Sequence, residues 1–192
     1  MIYSAILDAG VLLPGYLRNT LLHVAAEGSY RPLWSRRIWA EAVRDAGHAS
    51  PGVDLDSLQQ SAESVQRDFC DAMVSHWEHL ESAMTNHPRY RHVLAAAIVG
   101  RANGIVTDTL SGFPASSLQP LNIDLHSPDE FLLERLGHAP ALVLAALYMQ
   151  AAKTGKDGRV KLSVDDILDR LEPKVPNFTR QAADRLQVWN AG

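Results

Sequence analysis

The chain opens with Met1-Ile-Tyr-Ser-Ala-Ile-Leu-Asp-Ala-Gly-Val-Leu-Leu-Pro14, a short apolar run that one carboxylate interrupts. The β-branched and aromatic bias before Asp8 is typical of a strand that is buried on both faces of a parallel sheet. Asp8 stands where this strand is predicted to end. Ligand crevices of open α/β sheets lie just outside the carboxyl ends of the strands, so we expect Asp8 to face a pocket. The alternative is that Asp8 caps the helix that begins near Val11.

Composition is that of an ordinary globular chain. Its 192 residues, 46% hydrophobic and 21% charged, predict one domain or one domain with an appendage. The net charge of −4 argues against a general polyanion binder but allows a local basic patch. A single cysteine rules out an internal disulfide framework and suits a reducing cytosol. No apolar run approaches the roughly 18 residues of a membrane span, and no signal-peptide pattern is present, so we expect a cytoplasmic protein without a membrane partner.

Strand and helix patterns alternate up to about residue 135, which is typical of a parallel sheet covered by helices. The predicted strands lie at 2–7, 30–34, 72–80, 105–107 and 122–125. Amphipathic or capped helices are predicted at 19–27, 36–46, 56–69, 88–100, 128–135, 140–153, 164–171 and 176–189, with loops at 47–52 and 154–158. We therefore expect an α/β domain at 1–135 and a helical C-terminal extension at 136–192.

Acidic residues near predicted strand ends are the strongest chemical signal. No phosphate-binding glycine loop and no nucleophile elbow is present in the sequence. Asp8 and Asp108 follow predicted strands, and Glu41 lies on a predicted helix. Convergent carboxylates are ligands for Mg²⁺ or Mn²⁺, which can activate water for attack on a phosphodiester. The alternative for Glu41 is a solvated helix charge.

Several stretches, in this order, resemble PIN-domain proteins, with the nearest likeness to the bacterial branch that includes VapC-type toxins of toxin–antitoxin pairs. They are Ile6-Leu-Asp-Ala-Gly-Val-Leu-Leu-Pro14, Leu21-Leu-His-Val-Ala-Ala-Glu-Gly-Ser-Tyr-Arg-Pro-Leu-Trp-Ser35, Arg91-His-Val-Leu-Ala-Ala-Ala-Ile98, Ile105-Val-Thr107 with Phe113-Pro114, and His126-Ser-Pro-Asp-Glu-Phe-Leu-Leu133. The resemblance implies a three-layer α/β/α sandwich around a mostly parallel sheet. It also implies a divalent-metal endoribonuclease that acts on RNA, pairs with a cognate antitoxin and forms a homodimer.

Carried over by position, the resemblance retains part of the family's acidic site. Asp8 matches the first acid and Glu41 the helix acid. The position that usually carries a further acid or amide is Thr109, with Asp108 one residue earlier. The implied catalytic and metal-binding residues are therefore Asp8, Glu41 and Asp108.

Two other acidic positions are lost. The resemblance implies an acid directly before the Arg91-His92 run, but this chain has Tyr90 at that position, preceded by Arg89. Gly112 stands where many relatives place an aspartate. The implied Mg²⁺ or Mn²⁺ site is thus partly stripped. Because Mg²⁺ can be held by one or two carboxylates when substrate phosphates complete its shell, the loss does not abolish activity on chemical grounds.

Two further interpretations follow from this degenerate site. In one, a catalytically inactive groove holds nucleic-acid phosphates through arginines around one predicted helix, namely Arg89, Arg91 and Arg101. In the other, the protein is an interaction module for an antitoxin or a second copy. Its candidate contacts are Trp34, Trp39 and Trp77, although core packing is the commoner role of such residues.

Overall fold

The computed structural model describes residues 2–13, 15–49, 52, 54–155 and 160–191. Residues 190 and 191 are described by their backbone only. The chain divides into two compact units. The first contains Tyr3–Pro14 and Arg31–Ser127, and the second contains Gly15–Tyr30 and Pro128–Gly192. The predicted boundary between 135 and 136 stays a prediction.

Five strands and a series of α-helices make up the described residues. The strands are β1 (Ser4–Leu7), β2 (Arg31–Ser35), β3 (Met73–Val74), β4 (Gly104–Val106) and β5 (Asp124–His126). The α-helices are α1 (Ala9–Leu12), α2 (Tyr16–Ala26), α3 (Arg36–Ala49), α4 (Leu55–Asp68), α5 (Arg91–Val99), α6 (Ala115–Leu118), α7 (Pro128–His138), α8 (Pro140–Ala152), α9 (Val164–Leu171) and α10 (Pro176–Ala191).

All five strands belong to the first unit and form one parallel sheet in the order β3-β2-β1-β4-β5. The central strand β1 pairs with β2 on one side and with β4 on the other, so the chain order reverses between β1 and β4. Parallel sheets bind ligands at such a switch point, outside the carboxyl ends of the strands. The predicted α/β/α fold class with a mostly parallel sheet is confirmed.

The core of the first unit is built on β1 and α5. All four residues of β1 are buried, as the apolar run predicts. Helix α5 is buried from His92 to Ala97, and its small side chains let it pack closely against β1 and β2. A Cβ at Gly100, which ends this helix, would meet the side chains of Val74 and Leu33 at 2.9 and 3.2 Å. The alanine-rich run therefore holds α5 against β1, the strand that Asp8 follows.

The second unit is helical. Helix α2 packs on α8, and α10 packs on α7. The Thr20 hydroxyl donates to Gln150 Oε1 at 2.8 Å, which pairs the two buried polar groups between α2 and α8. Ser163 caps α9 through a capping box with Asp166, at the predicted position. Among the described residues no single helix is long and apolar enough to span a membrane, and the pair α7 and α8, which passes that test only jointly, is bent by 118°.

The predicted loop at 47–52 is partly wrong, because α3 continues to Ala49. Tertiary packing explains the glycine inside this helix. A Cβ at Gly47 would lie 2.9 Å from Leu55 Cδ2, at the contact between α3 and α4. Residues 50 and 51 of that predicted loop, and residues 156–158 of the one predicted at 154–158, lie outside the described residues.

Two predicted strands have different bounds. Of the strand predicted at 72–80, only Met73–Val74 pairs with the sheet, and Glu78–Ala83 forms a 3₁₀ helix. The strand predicted at 122–125 is Asp124–His126, because Asn122 has a left-handed φ of 53° and ends a 3₁₀ helix before the strand begins. Both differences lie at the two edges of the sheet.

Candidate functional site

Asp8 directly follows β1 and lies at the switch point beside the end of β4. Its side chain is only 4% exposed. One carboxylate oxygen accepts a hydrogen bond from the Ala9 amide and the other accepts one from the Thr107 hydroxyl, each at 2.7 Å. Asp8 is therefore the N-cap of α1 as well as the acid at the end of β1. The capping role and the predicted role in a site do not exclude each other.

Burial raises the pKa of Asp8, while the hydrogen bonds from Thr107 and Ala9 oppose that rise. The nearby charge of Glu41 adds a smaller effect in the raising direction. Asp8 and Glu41 thus lie in one electrostatic neighbourhood. A cation placed there would relieve the cost of burying the Asp8 charge.

Glu41 lies on α3, which follows β2 and is capped by the Ser35 hydroxyl. Its Oε1 accepts a hydrogen bond from Arg37 Nε at 3.2 Å. Its Oε2 is 3.1 Å from Nε2 of the fully buried His92, at hydrogen-bond distance but without hydrogen-bond alignment. Burial acts to raise the pKa of Glu41, but the contacts with His92 and Arg37 outweigh it, and the pKa is lowered. Glu41 is accordingly held as a carboxylate.

Arg37 links Glu41 to a second acid. Its Nη1 contacts Glu81 Oε1 at 2.9 Å, and its guanidinium carbon lies 6.0 Å from the Trp77 ring centroid. Arg37 is 42% exposed and Glu41 19% exposed, so this network lies at the outer margin of the site. It fixes the direction of the Glu41 carboxylate and offsets part of its charge.

Asp108 does not join the Asp8–Glu41 pair into a three-carboxylate group. Its side chain is exposed and lies at ordinary van der Waals distance, 3.7 Å, from the position of a Cβ built on Gly10. Thr109 donates its amide to the Thr107 hydroxyl at 3.0 Å, which in turn donates to Asp8. The backbone of Thr109 therefore fixes the Thr107 hydroxyl, which in turn orients the Asp8 carboxylate.

The acids Asp8, Glu41 and Asp108 supply few ligands for a divalent cation. Among the residues that the structure describes, no three His, Cys, Asp or Glu side chains are grouped so as to hold a metal ion. Asp8 and Glu41 do not fit a cation enclosed by protein ligands alone. They do fit Mg²⁺ or Mn²⁺ bound by one or two carboxylates together with substrate phosphates and water.

Tyr90 occupies space that an acid at position 112 would need. A Cβ added to the buried Gly112 would lie 2.7 Å from Tyr90 Cε2 and closer still to Cδ2. The Tyr90 ring centroid lies 5.6 Å from that of Phe113 and 5.7 Å from that of His87. The two lost acidic positions are therefore in contact, and the ring at one position excludes a side chain at the other.

The three candidate phosphate-binding arginines lie at opposite ends of α5. Arg89, which is exposed, and Arg91, which donates to the Asn86 carbonyl at 3.3 Å, lie at its N-terminal end. Arg101 lies beyond its C-terminal end, about 14 Å away by helix length, and its carbonyl accepts from Ser4 at the start of β1. Because Asp8 follows the other end of β1, only Arg89 and Arg91 lie on the side of the candidate site.

The three candidate contact tryptophans are buried in the first unit. Trp34 and Trp39 pack edge to face at 5.6 Å between ring centroids, and Trp77 packs on His92 at 6.0 Å. Core packing is therefore their role, and they do not form a surface for a partner.

Three residues near the acids were missed by the sequence reasoning, namely Thr107, Arg37 and His92. Arg37 and Glu41 have the i,i+4 spacing of a helical ion pair, which is a usable sequence signal. Thr107 is a polar residue directly after a buried strand. His92 interrupts an otherwise apolar helix, but its partner is 51 positions away, so no local pattern identifies the contact.

Comparison with known proteins identifies the family of this chain. The chain is 36% identical over 125 residues to the Mycobacterium tuberculosis (strain ATCC 25618 / H37Rv) protein named "Putative ribonuclease VapC50", in a match that spans 62% of this chain and 69% of the relative. The chain belongs to the VapC family of PIN-domain proteins. No protein-family model and no solved structure matches this VapC-type chain.

Proposed function

We propose that this chain is an endoribonuclease, the toxin of a VapC-type toxin–antitoxin pair, which cuts RNA in the cytoplasm at the carboxyl edge of its sheet. The observation that carries the proposal is that Asp8, at the switch point between β1 and β4, caps helix α1, which packs on α3, the helix that carries Glu41. The ribonuclease name of the mycobacterial relative supports the reaction class.

In the proposed reaction, Asp8 and Glu41 would hold a divalent cation, and the RNA phosphate would complete its set of ligands. The cation, when bound, supplies charge stabilisation and a more acidic water for phosphodiester hydrolysis. Thr107 and the Ala9 amide orient Asp8, and Arg37 and His92 orient Glu41. Asp108, which is exposed, would add negative charge at the rim of the site.

Cleavage of labelled RNA tests this assignment. Wild type is expected to cut in Mg²⁺ or Mn²⁺ and not in EDTA. Asp8→Asn and Glu41→Gln are each expected to lower the rate about 100-fold or more, since each removes charge that acts on the reacting phosphate. Asp68→Asn is the matched control, because Asp68 is an exposed acid at the end of α4 in the same unit and is outside the pair. Unchanged cleavage by Asp8→Asn would overturn the proposal.

A second candidate function is RNA binding without cleavage. The packing of the Tyr90 ring against Gly112 favours it, because the ring leaves no room for a side chain at position 112, where the resemblance implies a further acid. Arg89 and Arg91 would then hold phosphates at the N-terminal end of α5. Salt-sensitive RNA binding by wild type, with no cleavage in Mg²⁺ or Mn²⁺, would select this function over the first.

We also propose a cognate antitoxin and a homodimer as partners. Exposed apolar side chains on α8 support a protein contact by the second unit, namely those of Leu142, Tyr148 and Met149. Light scattering of the purified chain, alone and with the product of any small neighbouring open reading frame, measures both assemblies. A monomer in both samples would contradict this part of the proposal.

A further inference from the structure

Two surface clefts of similar size differ in charge. The first, of about 570 Å³, lies in the sheet-containing unit and is lined by two arginines and two glutamates, of which Arg37 and Glu81 form an ion pair. The second, of about 590 Å³, lies in the helical unit. Its described lining contains Arg18, Lys153 and Arg170 and no carboxylate. In a chain of net charge −4, this basic cleft is the place where an anion would be favoured.

The start of α2 adds to the positive character of the basic cleft. Gly15 is the N-cap of this eleven-residue helix and supplies no side-chain acceptor to the first-turn amides. Gly15 and Tyr16 both line the cleft. The uncapped amides and the helix dipole therefore face the same space as the three cations, and such helix ends bind phosphate groups.

The cationic side chains are held in place from several elements. The Arg170 guanidinium carbon of α9 lies 5.2 Å from the Tyr16 ring centroid, and Arg170 Nη1 donates to the Asp166 carbonyl at 3.0 Å. Arg18 of α2 is partly withdrawn from water, which lowers its pKa. Lys153 follows the end of α8 and is exposed. Three elements thus contribute cationic side chains to the lining of one cleft.

We propose that this cleft is a phosphate-binding site, for a phosphate of single-stranded RNA or of a mononucleotide. The site lies in the helical unit, away from Asp8 and Glu41 in sequence. It involves no hydrolysis, so its test does not depend on the proposed cleavage.

The test is binding in EDTA, where divalent-cation chemistry is absent. A fluorescein-labelled 12-nucleotide single-stranded RNA is titrated by anisotropy at several salt concentrations, and AMP is titrated by calorimetry. Lys153→Gln/Arg170→Gln is compared with wild type and with Arg180→Gln/Arg185→Gln, which removes two charges from α10 of the same unit. A plot of log RNA affinity against log salt has a negative slope. In the cleft variant its magnitude is expected to be smaller by about 1.4, because each lost phosphate contact on a single strand removes about 0.7.

Loss of RNA affinity with that change in slope identifies an RNA phosphate as the ligand. Loss of AMP binding alone identifies a mononucleotide. If neither RNA nor AMP distinguishes the cleft variant from the α10 variant, the proposal is overturned. Lys153→Gln alone, at an exposed position, gives the same test with an expected change of about 0.7 if the double variant does not fold.

Discussion

Gly112→Ala tests the contact between the Tyr90 ring and position 112. The added Cβ would lie 2.7 Å from Tyr90 Cε2 and closer to Cδ2, well inside normal contact distance. Phe113 and His87 pack on the same ring, so the ring has neighbours to disturb when it shifts. Overpacking of this kind typically costs 1–3 kcal/mol, and two such short contacts lead us to expect a loss of about 2 kcal/mol in the free energy of unfolding.

Urea unfolding followed by tryptophan fluorescence measures this loss. Three of the four tryptophans, Trp34, Trp39 and Trp77, are buried in the unit that contains Gly112, so the signal reports mainly on that unit. Gly10→Ala is the control in the same unit, because its Cβ would meet only atoms at 3.7 Å or more, and no comparable loss is expected.

A double-mutant cycle then isolates the contact. In a Tyr90→Ala background the ring is absent, and Gly112→Ala is expected to cost less than about 0.5 kcal/mol, which gives a coupling energy of about 1.5 kcal/mol. An equal cost of Gly112→Ala in both backgrounds would refute the claim that the Tyr90 ring excludes a side chain at position 112.

Three further predictions concern buried polar groups. Thr107→Val removes the hydroxyl that donates to Asp8, so we expect a loss of about 1–3 kcal/mol in urea unfolding at pH 7; a loss below about 0.5 kcal/mol would contradict the role of this hydrogen bond. Because burial raises the pKa of Asp8, the folded state binds its proton more tightly than the unfolded chain, and the contribution of Asp8 to stability is present at low pH and lost as pH rises through the folded-state pKa. The stability of Asp8→Asn relative to wild type should therefore increase from pH 3 to pH 7 in thermal melts, and a constant difference would contradict the raised pKa. In the helical unit, Thr20→Val leaves Gln150 Oε1 without its 2.8 Å donor and should cost about 1–3 kcal/mol by calorimetry, whereas Thr20→Ser, which keeps the hydroxyl, should cost less.

Much of the fold could be predicted from local pattern. The β1 run, the Ser35 and Ser163 caps and the proline that begins α7 each act within a few residues, and the structure places them as predicted. The edges of the sheet were less predictable. Strand β3 has only two residues, and its bounds depend on pairing with β2 rather than on its own composition. The continuation of α3 through Gly47 depends on Leu55 of the next helix.

The candidate site was predictable only in part, since its acids follow strands but their partners are distant in sequence. Asp8 was identified from its place after β1, and the structure puts it at the switch point. The contacts between Glu41 and His92, and between Tyr90 and Gly112, join residues 51 and 22 positions apart. No periodicity reports such pairs, because they arise when separate elements meet at one edge of the sheet.

Calorimetric titration of Mn²⁺ tests the central claim most directly, which is that Asp8 and Glu41 hold a cation together with RNA phosphate. Mn²⁺ is titrated into wild type, Asp8→Asn and Asp68→Asn, each alone and saturated with phosphorothioate-linked RNA, which keeps its charge and resists hydrolysis. In wild type and Asp68→Asn, RNA should tighten Mn²⁺ binding at least about 10-fold, since two ligands that share a site raise each other's affinity. Asp8→Asn should lose this effect. Mn²⁺ binding that is the same in wild type and Asp8→Asn, or that RNA does not strengthen, would contradict the account.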